Sequence, residues 1–365
     1  MAYTNIDDPS AYFQTVVWTG NSGYDVNVVN DGNSDLQPDF IWAKERTSPG
    51  GYDYNHNWVD SSRGVTKTLW CDSTTSEMTA AQSNYDLQSF NTDGFTTGAP
   101  EYTNSLGGSA VTDGKVAWQW KCNGGTTASN SDGSLASVVQ ANTTAGFSIV
   151  TWTGVGGART VGHGLGVAPD VIIVKNRTLV TQWGFWHKDL ADTDNNLRIN
   201  STSAEIDDAL WNDTVPTSSV FSISSAAEVS NNSIAYCFAE KKGYSKFGSY
   251  IGNASAEGPF VYTGFKPAFV MTKNISNSGW NWAIMDSKRT PTNANGTYEW
   301  IWADLAGAEF TDGDSGINME IDFVSNGFKI RTARDELNRN GDTFIYMCFA
   351  ESPFVTSTGI PTTAR

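Results

Sequence analysis

The pattern of apolar and polar positions along the chain predicts short β-strands. In FSIVTWTG the pattern alternates and places Phe147, Ile149 and Thr151 on one face, which is typical of a half-buried strand. The stretch DVIIVKN, at 170–176, is continuously apolar and indicates a strand buried on both faces. Asp-Gly and Asn-Gly pairs, which favour tight turns, separate such runs. We therefore expect an all-β protein of antiparallel β-sandwiches, of jelly-roll or lectin-like type.

The same series of strands occurs three times. The opening strands are FQTVVWTG at 13–20, FSIVTWTG at 147–154 and SKFGSYIG at 245–252. Each is followed by a proline and, six residues later, a lysine: Pro38 and Lys44, Pro169 and Lys175, Pro267 and Lys273. Each copy closes on an aromatic strand, VAWQWKC, IAYCFAE or IYMCFAE. Because these landmarks keep one order, we predict three tandem homologous domains, and we expect each proline to start a buried strand.

Tryptophan and acidic residues also recur. The recurring tryptophans are Trp58, Trp186 and Trp282, and the recurring acids are Asp60, Asp189, Asp286, Glu77, Glu205 and Glu309. A role shared by three copies favours structure over chemistry. We therefore expect the tryptophans to lie in cores, and the acids to cap turns or pair with the recurring lysines.

The repeats divide the chain into six parts. We expect an N-terminal arm at 1–12, sandwiches at 13–124, 147–242 and 243–352, a linker at 125–146 and a C-terminal arm at 353–365. Each sandwich should bury its own core, which would give a rigid, elongated body. Helical periodicity is nearly absent, and the stretches at 75–87 and 203–211 predict at most one helical turn each.

Composition narrows the functional classes. Charged residues make up 17% of the chain and aromatic residues 12%, which is typical of a folded, turn-rich protein and not of a disordered one. The net charge of −16 disfavours binding to nucleic acid or to anionic membranes. The start MAYTNIDDPSAYF lacks the features of a signal peptide, and no apolar run is long enough for membrane insertion. We expect synthesis in a cytoplasm and release by another route, such as lysis.

The four cysteines predict no metal site, because their spacing fits no zinc or CxxC pattern. Cys237 and Cys348 stand at the same place in two repeats, inside strands with a buried pattern, and we expect unpaired core thiols there. Cys71 and Cys122 share the first repeat and could pair, although a cytosolic origin favours reduced thiols.

Several stretches resemble a family of virion-associated proteins of marine and freshwater tailed bacteriophages, described as tail-fibre or structural proteins. They include YTNIDDPSAYFQTVVWTG, VGHGLGVAPDVIIVKNR, AEGPFVYTGFKPAFV and MCFAESPFV, and the resemblance covers nearly the whole chain. It implies a component of the virion that is made in the cytoplasm of the infected bacterium and released by lysis. It transfers no catalytic or binding residues.

An enzyme is the main alternative class. The motifs GxSxG, HExxH and the P-loop do not occur in the sequence, and His56, His163 and His187 stand in unrelated contexts that suggest hydrogen bonding. A polysaccharide-degrading glycoside hydrolase would need two carboxylates roughly 5–9 Å apart. With 39 acidic residues the sequence leaves such a pair open. Because the short strands differ from the long β-helices of depolymerase fibres, we expect a non-enzymatic protein.

Two kinds of ligand site can be considered from the residues. Aromatic faces suit sugar rings, and the less regularly placed aromatics are surface candidates for contact with a host-surface glycan: Tyr52, Tyr54, Trp211, Trp300 and Trp302. The loops at 31–35 and 311–316 resemble Ca²⁺ loops but match no complete pattern, so we expect ordinary turns and no cofactor.

We expect a tail-fibre or adhesin-like component that mediates host attachment, or alternatively a decoration, cement or adaptor protein of the capsid or tail. Its two polar arms carry apolar residues: Tyr3, Ile6, Tyr12, Phe354, Val355 and Ile360. These should bury against a neighbouring copy or another virion protein, in a homo-oligomer for which a trimer is the expectation. The alternative is that both arms fold back on their own domains.

Overall fold

A computed structural model describes residues 3–20, 26–47, 53–79, 87–98, 114–290, 298–312 and 318–362. Within these ranges the regular secondary structure is nearly all antiparallel strand, which confirms the predicted all-β class. The helical elements described are two 3-10 turns, Pro9–Ala11 and Ala227–Val229, and one short helix, α1 (Asp335–Asn338). Neither 203–211 nor the described part of 75–87 contains a helical turn, and residues 80–86 lie outside the described ranges. The described part of 75–87 contains strand residues, and 203–211 contains a two-residue strand.

The first repeat forms a six-stranded sheet and a three-stranded sheet. Its strands are β1 (Phe13–Thr19), β2 (Val26–Val28), β3 (Phe40–Glu45), β4 (Asn57–Asp60), β5 (Lys67–Trp70), β6 (Met78–Thr79), β7 (Leu87–Phe90), β8 (Phe95–Thr97) and β9 (Gly114–Trp120). The large sheet has the order β1-β9-β3-β4-β5-β6, and the small sheet has the order β2-β8-β7.

The second repeat adds two strands before its opening strand. Its strands are β10 (Ala128–Asn130), β11 (Ser137–Asn142), β12 (Phe147–Gly154), β13 (Arg159–Gly162), β14 (Val171–Asn176), β15 (Gly184–His187), β16 (Asn195–Asn196), β17 (Ile206–Asp207), β18 (Val220–Ile223) and β19 (Asn231–Phe238). The large sheet has the order β10-β11-β12-β19-β14-β15, and β13-β18 and β16-β17 are two-stranded sheets. The segment expected as an irregular linker therefore carries two strands that extend this sheet.

The third repeat resembles the first in its strand orders. Its strands are β20 (Ser245–Ile251), β21 (Phe260–Tyr262), β22 (Phe265–Asn274), β23 (Ala283–Asp286), β24 (Glu299–Trp302), β25 (Phe310–Thr311), β26 (Ile321–Val324), β27 (Gly327–Ile330) and β28 (Thr343–Pro353). The large sheet has the order β20-β28-β22-β23-β24-β25, and the small sheet has the order β21-β27-β26.

One register relates the three large sheets. In each, the opening strand pairs with the closing strand, which in turn pairs with the strand that follows the recurring proline. The cross-strand partners are Phe40 and Trp120, Val171 and Phe238, and Phe269 and Phe349. The first two prolines lie two residues before their strands. Pro267 instead lies inside β22, where the register shifts.

The three large sheets share a core, which the sequence does not predict. In β3, Phe40 and Trp42 belong to a cluster with residues of all three repeats, whereas Ile41 and Ala43 face a smaller cluster of the first repeat alone. The second and third repeats each have such a private cluster too. A strand that is apolar on both faces can serve two cores at once, because successive side chains point to opposite faces. The expected elongated arrangement of self-contained domains is therefore replaced by three sheets around a common centre.

Aromatic pairs connect the repeats across this shared core. The ring centroids of Phe13 and Phe349 are 5.2 Å apart and stacked. Phe40 lies 4.6 Å from Tyr236, Trp58 lies 4.9 Å from Trp183, and Phe185 lies 4.6 Å from Trp282. Each repeat therefore touches both others through aromatic side chains, which stabilise such pairs beyond the burial of their area.

Candidate functional site

The recurring glutamates join the three repeats in a closed ring. The backbone N–H of each glutamate donates a hydrogen bond to a backbone carbonyl of the next repeat. The accepting residue stands two positions after the recurring lysine of that repeat. The pairs are Glu77 with Arg177 at 2.9 Å, Glu205 with Ile275 at 3.2 Å, and Glu309 with Arg46 at 3.0 Å. The third repeat thus bonds back to the first. We call the contact regions the first junction (repeats one and two), the second junction (two and three) and the third junction (three and one).

Ion pairs reinforce two of these junctions. Glu77 accepts hydrogen bonds from the guanidinium groups of Arg63 and Arg177. Glu309 accepts them from Arg46 and Arg289. The carboxylate of Glu205 instead accepts from the backbone of Ala191 and the side chain of Asn195, within its own repeat. Glu77 and Glu309 therefore pair with arginines, whereas pairing with the recurring lysines was expected.

A second set of polar residues also spans the junctions. Asp60 accepts a hydrogen bond from the Tyr236 hydroxyl at 2.8 Å, and Asp286 accepts one from the Trp118 indole at 3.0 Å. Each of these buried carboxylates also pairs at 2.6 Å with the arginine three residues further on. The predicted third member, Asp189, does not occupy this place. Asp60 is opposite Phe40 in the first repeat, and Asp286 is opposite Phe269 in the third. At the corresponding position of the second repeat, His187 is opposite Val171.

The recurring lysines are buried and cross the same junctions. Each side-chain ammonium donates to a backbone carbonyl of the preceding repeat in the ring: Lys44 to Ala306 at 2.9 Å, Lys175 to Thr74 at 3.0 Å and Lys273 to Thr202 at 3.2 Å. Burial lowers the pKa of all three lysines to about 8. Three equivalent ammonium groups thus bind main-chain oxygens, which is a structural use of charge.

The three histidines are buried and bonded to main-chain carbonyls. His56 Nε2 lies 3.0 Å from the Trp302 carbonyl, and its Nδ1 accepts a hydrogen bond from Trp42 at 2.8 Å. His163 lies 3.1 Å from the carbonyl of Thr217, and His187 contacts that of Tyr346 in the third repeat. Burial lowers the pKa of His187 to about 3, so its imidazole is neutral at ordinary pH. These contacts agree with the hydrogen-bonding role expected from the sequence.

The aromatic residues suggested as glycan contacts are mostly buried. Tyr54 and Trp302 are each 5% exposed, Trp211 is 2% exposed and Trp300 is fully buried, so none offers a free face. Tyr52 lies outside the described residues. Their burial was not predictable, because irregular placement of an aromatic residue in the repeats does not imply exposure. All three recurring tryptophans lie in cores, as expected. Trp58 and Trp282 lie in the shared core, and Trp186 lies in the private core of the second repeat.

Two exposed aromatic residues were missed. Phe260 and Tyr262 of β21 are 49% and 54% exposed, with Val261 buried between them. The signal was available, because FVYTG alternates two outward aromatics around one inward valine. Tyr262 and Tyr3 bring their hydroxyl groups to 3.3 Å from each other.

The N-terminal arm lies on its own chain. Ile6 is buried in the shared core, Tyr12 packs against that core, and Tyr3 donates a hydrogen bond to the carbonyl of Gly264 at 2.7 Å. The expectation that these residues await a partner is therefore wrong for Ile6. Its side chain completes the core of the single chain.

The described part of the C-terminal arm also folds back. Phe354 and Val355 are half-buried, and the backbone N–H of Ser357 donates to Asp7 of the N-terminal arm at 2.6 Å. Ile360 remains 63% exposed. Of the residues named for assembly, it is therefore the one that stays largely in solvent.

All four cysteines are buried and free. Cys237 and Cys348 lie in the private cores of their repeats, as expected for core thiols. Cys71 and Cys122 both join the shared core and are not paired with each other. Burial raises the pKa of the thiols of Cys71, Cys122 and Cys348 well above the usual range, which keeps them protonated.

A cleft of about 390 Å³ opens at the third junction. Its walls come from β1 and the loop after β2 in the first repeat, and from β22, β28 and the turn after β23 in the third. Two ion pairs lie on the rim, Lys266 with Glu351 and Lys288 with Asp31, both at 2.7 Å. Ala268 stands at the base of the third-repeat wall, where the other two copies have Asp39 and Asp170. The aligned letters QPDF, APDV and KPAF already carry this difference.

A model of a family described as a domain of unknown function, DUF7483, matches residues 8–353. The chain belongs to the DUF7483 family. The matched range contains all three large sheets and both sides of the third-junction cleft. No curated protein and no solved structure shows significant similarity to the chain.

The two loops of this DUF7483 chain that resemble Ca²⁺ loops, at 31–35 and 311–316, differ in how far they are described. Asp31 forms an ion pair with Lys288, while residues 313–316 of the second loop lie outside the described part. Among the described residues, no group of three His, Cys, Asp or Glu side chains is placed to hold a metal ion. None of the described helices is long and apolar enough to cross a membrane.

Proposed function

We propose that this protein is a non-enzymatic structural component of a bacteriophage virion, acting as a tail-fibre or adhesin-like part in host attachment. It would be made in the cytoplasm of the host bacterium and incorporated with other virion proteins. The resemblance of nearly the whole sequence to virion-associated proteins supports this assignment. The closed ring of junction contacts is the single structural observation that carries it.

The ring favours a mechanical role because it engages the recurring polar residues in holding repeats together. Asp60 and Asp286 are fully buried beside Arg63 and Arg289. A carboxylate held in this way, with a buried arginine and an indole or phenol donor, is a poor general acid or nucleophile, since its charge is already neutralised. The recurring acids are therefore better suited to a rigid body than to the glycoside hydrolase considered as the alternative.

We further propose that the body consists of three tandem homologous antiparallel β-sandwich units, at 13–124, 147–242 and 243–352. The common register of the large sheets supports homology. The private clusters behind each large sheet support a two-layer unit, in which a small sheet covers the outer face. The direct test is superposition of the four strands that the three large sheets share: the opening strand, the closing strand, the strand after the proline and the next strand. A failure of these four strands to superpose in one order and direction would contradict the proposal.

The location in the virion can be tested on purified particles. Phage particles from a lysate of the producing bacterium would be banded in a density gradient and analysed by quantitative mass spectrometry. We expect this chain to band with the particles at a fixed ratio to the major capsid protein. Its presence in the lysate but absence from banded particles would contradict the proposal.

Attachment is distinguished from decoration by an adsorption assay. Purified chain added to host cells before infection should compete for the receptor and slow phage adsorption if the protein is an adhesin. A decoration, cement or adaptor protein would leave adsorption unchanged, although it would still band with the particles. A homo-oligomer remains a prediction, to be tested by the mass in solution of the intact chain and of forms lacking residues 1–12 or 353–365.

A further inference from the structure

The three junctions differ at one equivalent place. In the first repeat this place holds Asp39, which is fully buried. Its carboxylate accepts hydrogen bonds from the Ser61 hydroxyl at 2.6 Å and from the backbone N–H groups of Cys122, Gly124 and Gly125 at 2.6 to 2.9 Å. The first junction is thus closed around a carboxylate.

The neighbouring strand β11 completes this closure. Gln140 donates from its amide to the hydroxyl groups of Ser61 and Ser62, at 3.0 and 2.8 Å. Its carbonyl oxygen accepts from the backbone of Asn123 and Gly125. The segment between the first two repeats therefore covers the first junction with its own side chains.

The second junction is closed in a different way around the equivalent carboxylate. Asp170 accepts from the backbone N–H of Glu240 at 2.7 Å and pairs with Lys188 at 3.1 Å. Lys188 also pairs with Glu240, which pairs in turn with Lys246 of the third repeat at 2.7 Å. A network of alternating charges fills this junction.

The third junction lacks the carboxylate and is open. Ala268 stands where Asp39 and Asp170 stand, and Ser287 stands where Ser61 does, by the shared register of the large sheets. A methyl group replaces the acid, and the cleft of about 390 Å³ lies over it. This volume is within the usual range for small-molecule sites.

The lining suits a carboxylate-bearing ligand with hydroxyl groups. Lys266 and Lys288 have side chains 30% and 40% exposed, and an ammonium has three donors, so one ion pair does not exhaust it. Their partners Glu351 and Asp31 are acceptors for hydroxyl groups. Asn33, Ser10 and Ser287 add short polar side chains to the walls.

The first-repeat wall of the cleft is held in place by a buried amide. Gln14 donates to the carbonyls of Ser10 and Ser34, at 2.9 and 2.7 Å. Its carbonyl oxygen accepts from the backbone of Gly32 at 2.9 Å. The loop that carries Asp31 is therefore fixed to β1, and a preformed wall lowers the entropic cost of binding.

We propose that the third-junction cleft binds an acidic sugar of about monosaccharide size, whose carboxylate takes the place that Asp39 and Asp170 fill in the other two repeats. The ligand's hydroxyl groups would contact the rim pairs and the polar walls. This site does not depend on the protein being a virion component, so the two proposals can fail separately.

The test is a titration of the intact chain by calorimetry and by two-dimensional NMR. The probes are sodium glucuronate, neutral glucose, sodium acetate and a uronic-acid polymer such as polygalacturonate. We expect saturable binding of glucuronate, at least about tenfold weaker binding of glucose and of acetate, and shifts confined to cleft residues. Polymer binding tighter than monomer binding would identify a polysaccharide as the source of the sugar, and weaker polymer binding would identify the free acid.

Ala268→Asp is the decisive variant, because it restores the acid that the other repeats carry. We expect it to fold and to lose glucuronate binding by at least about tenfold, while the matched control Ala268→Ser keeps it. Should Ala268→Asp fail to fold, Lys288→Gln serves instead, since its exposed side chain is not part of the core, and it should weaken binding severalfold. Absence of glucuronate binding to the intact chain, equal binding of glucose or acetate, or unchanged binding by Ala268→Asp or, if needed, Lys288→Gln would overturn the proposal.

Discussion

At the scale of single residues, the structure depends on buried charges that are paired within a repeat and hydrogen-bonded to the next repeat. Asp286 and Arg289 have fully buried side chains, and Trp118 of the first repeat donates to the same carboxylate. His187 takes the equivalent place in the second repeat, and the residue that corresponds by register to Tyr236 and Trp118 is Met347, whose side chain has no N–H or O–H to donate to an acid. The acid therefore occurs only in the two copies that face a donor.

Asp286→Asn should be strongly destabilising, because it leaves Arg289 buried with a weakened counter-charge. We expect the free energy of unfolding to fall by about 3–5 kcal/mol, measured by urea denaturation. The matched control is Asp31→Asn, which breaks an ion pair whose acid is 63% exposed and should cost no more than about 1 kcal/mol. Equal effects of the two substitutions would contradict this reading.

The buried lysines give the protein a specific pH dependence. Burial lowers the pKa of Lys273 from 10.5 to about 8. Between these values the unfolded chain holds a proton that the folded chain has lost, so the contribution of Lys273 to stability rises with pH through this window. Lys273→Met removes that contribution. The difference in unfolding free energy between the natural chain and the variant should therefore be larger near pH 9.5 than near pH 7.

The control for this experiment is Met271→Leu, a change on the same strand that removes no titrating group. Its effect on the free energy of unfolding should be the same at both pH values. If the difference for Lys273→Met is equally independent of pH, the ammonium does not lose its proton in the folded protein in that range.

At the scale of elements, the sequence predicted the strand pattern and the alignment of the repeats, but not which elements pack against each other. The recurring proline and lysine gave the correct alignment of β3, β14 and β22, because each lysine lies on its buried strand and each proline precedes it by six residues. The linker was expected to be irregular because of its glycine-rich start at 123–125, and the short alternation of β11, with Ser137 and Val139 buried around the exposed Val138, was overlooked. The residues of β11 do not by themselves predict that this strand pairs with β12.

The arms show the same limit. Ile6 is an isolated apolar residue between polar neighbours, and its sequence context cannot distinguish a partner's surface from the chain's own core. Ile6→Ala should cost about 2–5 kcal/mol in unfolding free energy, since the residue belongs to the shared core. The matched control Ile360→Ala, at a position 63% exposed, should change it by less than about 0.5 kcal/mol. Thermal denaturation of both variants measures the two losses of stability. Comparable losses of stability would contradict the placement of Ile6 in the core.

At the scale of the whole molecule, the protein is one ring of three repeats and not three independent domains. The sequence revealed the three repeats but not that they close into a ring. Each repeat contains the same buried strand, and its residues do not indicate which face packs against the neighbouring repeat. The candidate cleft follows from that closure. The substitution of Ala268 was visible in the alignment of the repeats, but its meaning required the third repeat to meet the first.

A ring with a shared core should unfold as a unit. Glu309 bonds the third repeat to the first, and Phe13 stacks on Phe349. Damage in one repeat is therefore transmitted to the other two, since their apolar faces have no other cover. Independent sandwiches would instead confine the damage to the altered repeat.

Hydrogen exchange followed by mass spectrometry tests this claim most directly. Peptides from the closing strands β9, β19 and β28 would be compared between the natural chain and Phe328→Ala, which removes a side chain from the private core of the third repeat. The account predicts that protection falls by the same free energy in all three strands. A loss of protection confined to β28, with β9 and β19 unchanged, would contradict it.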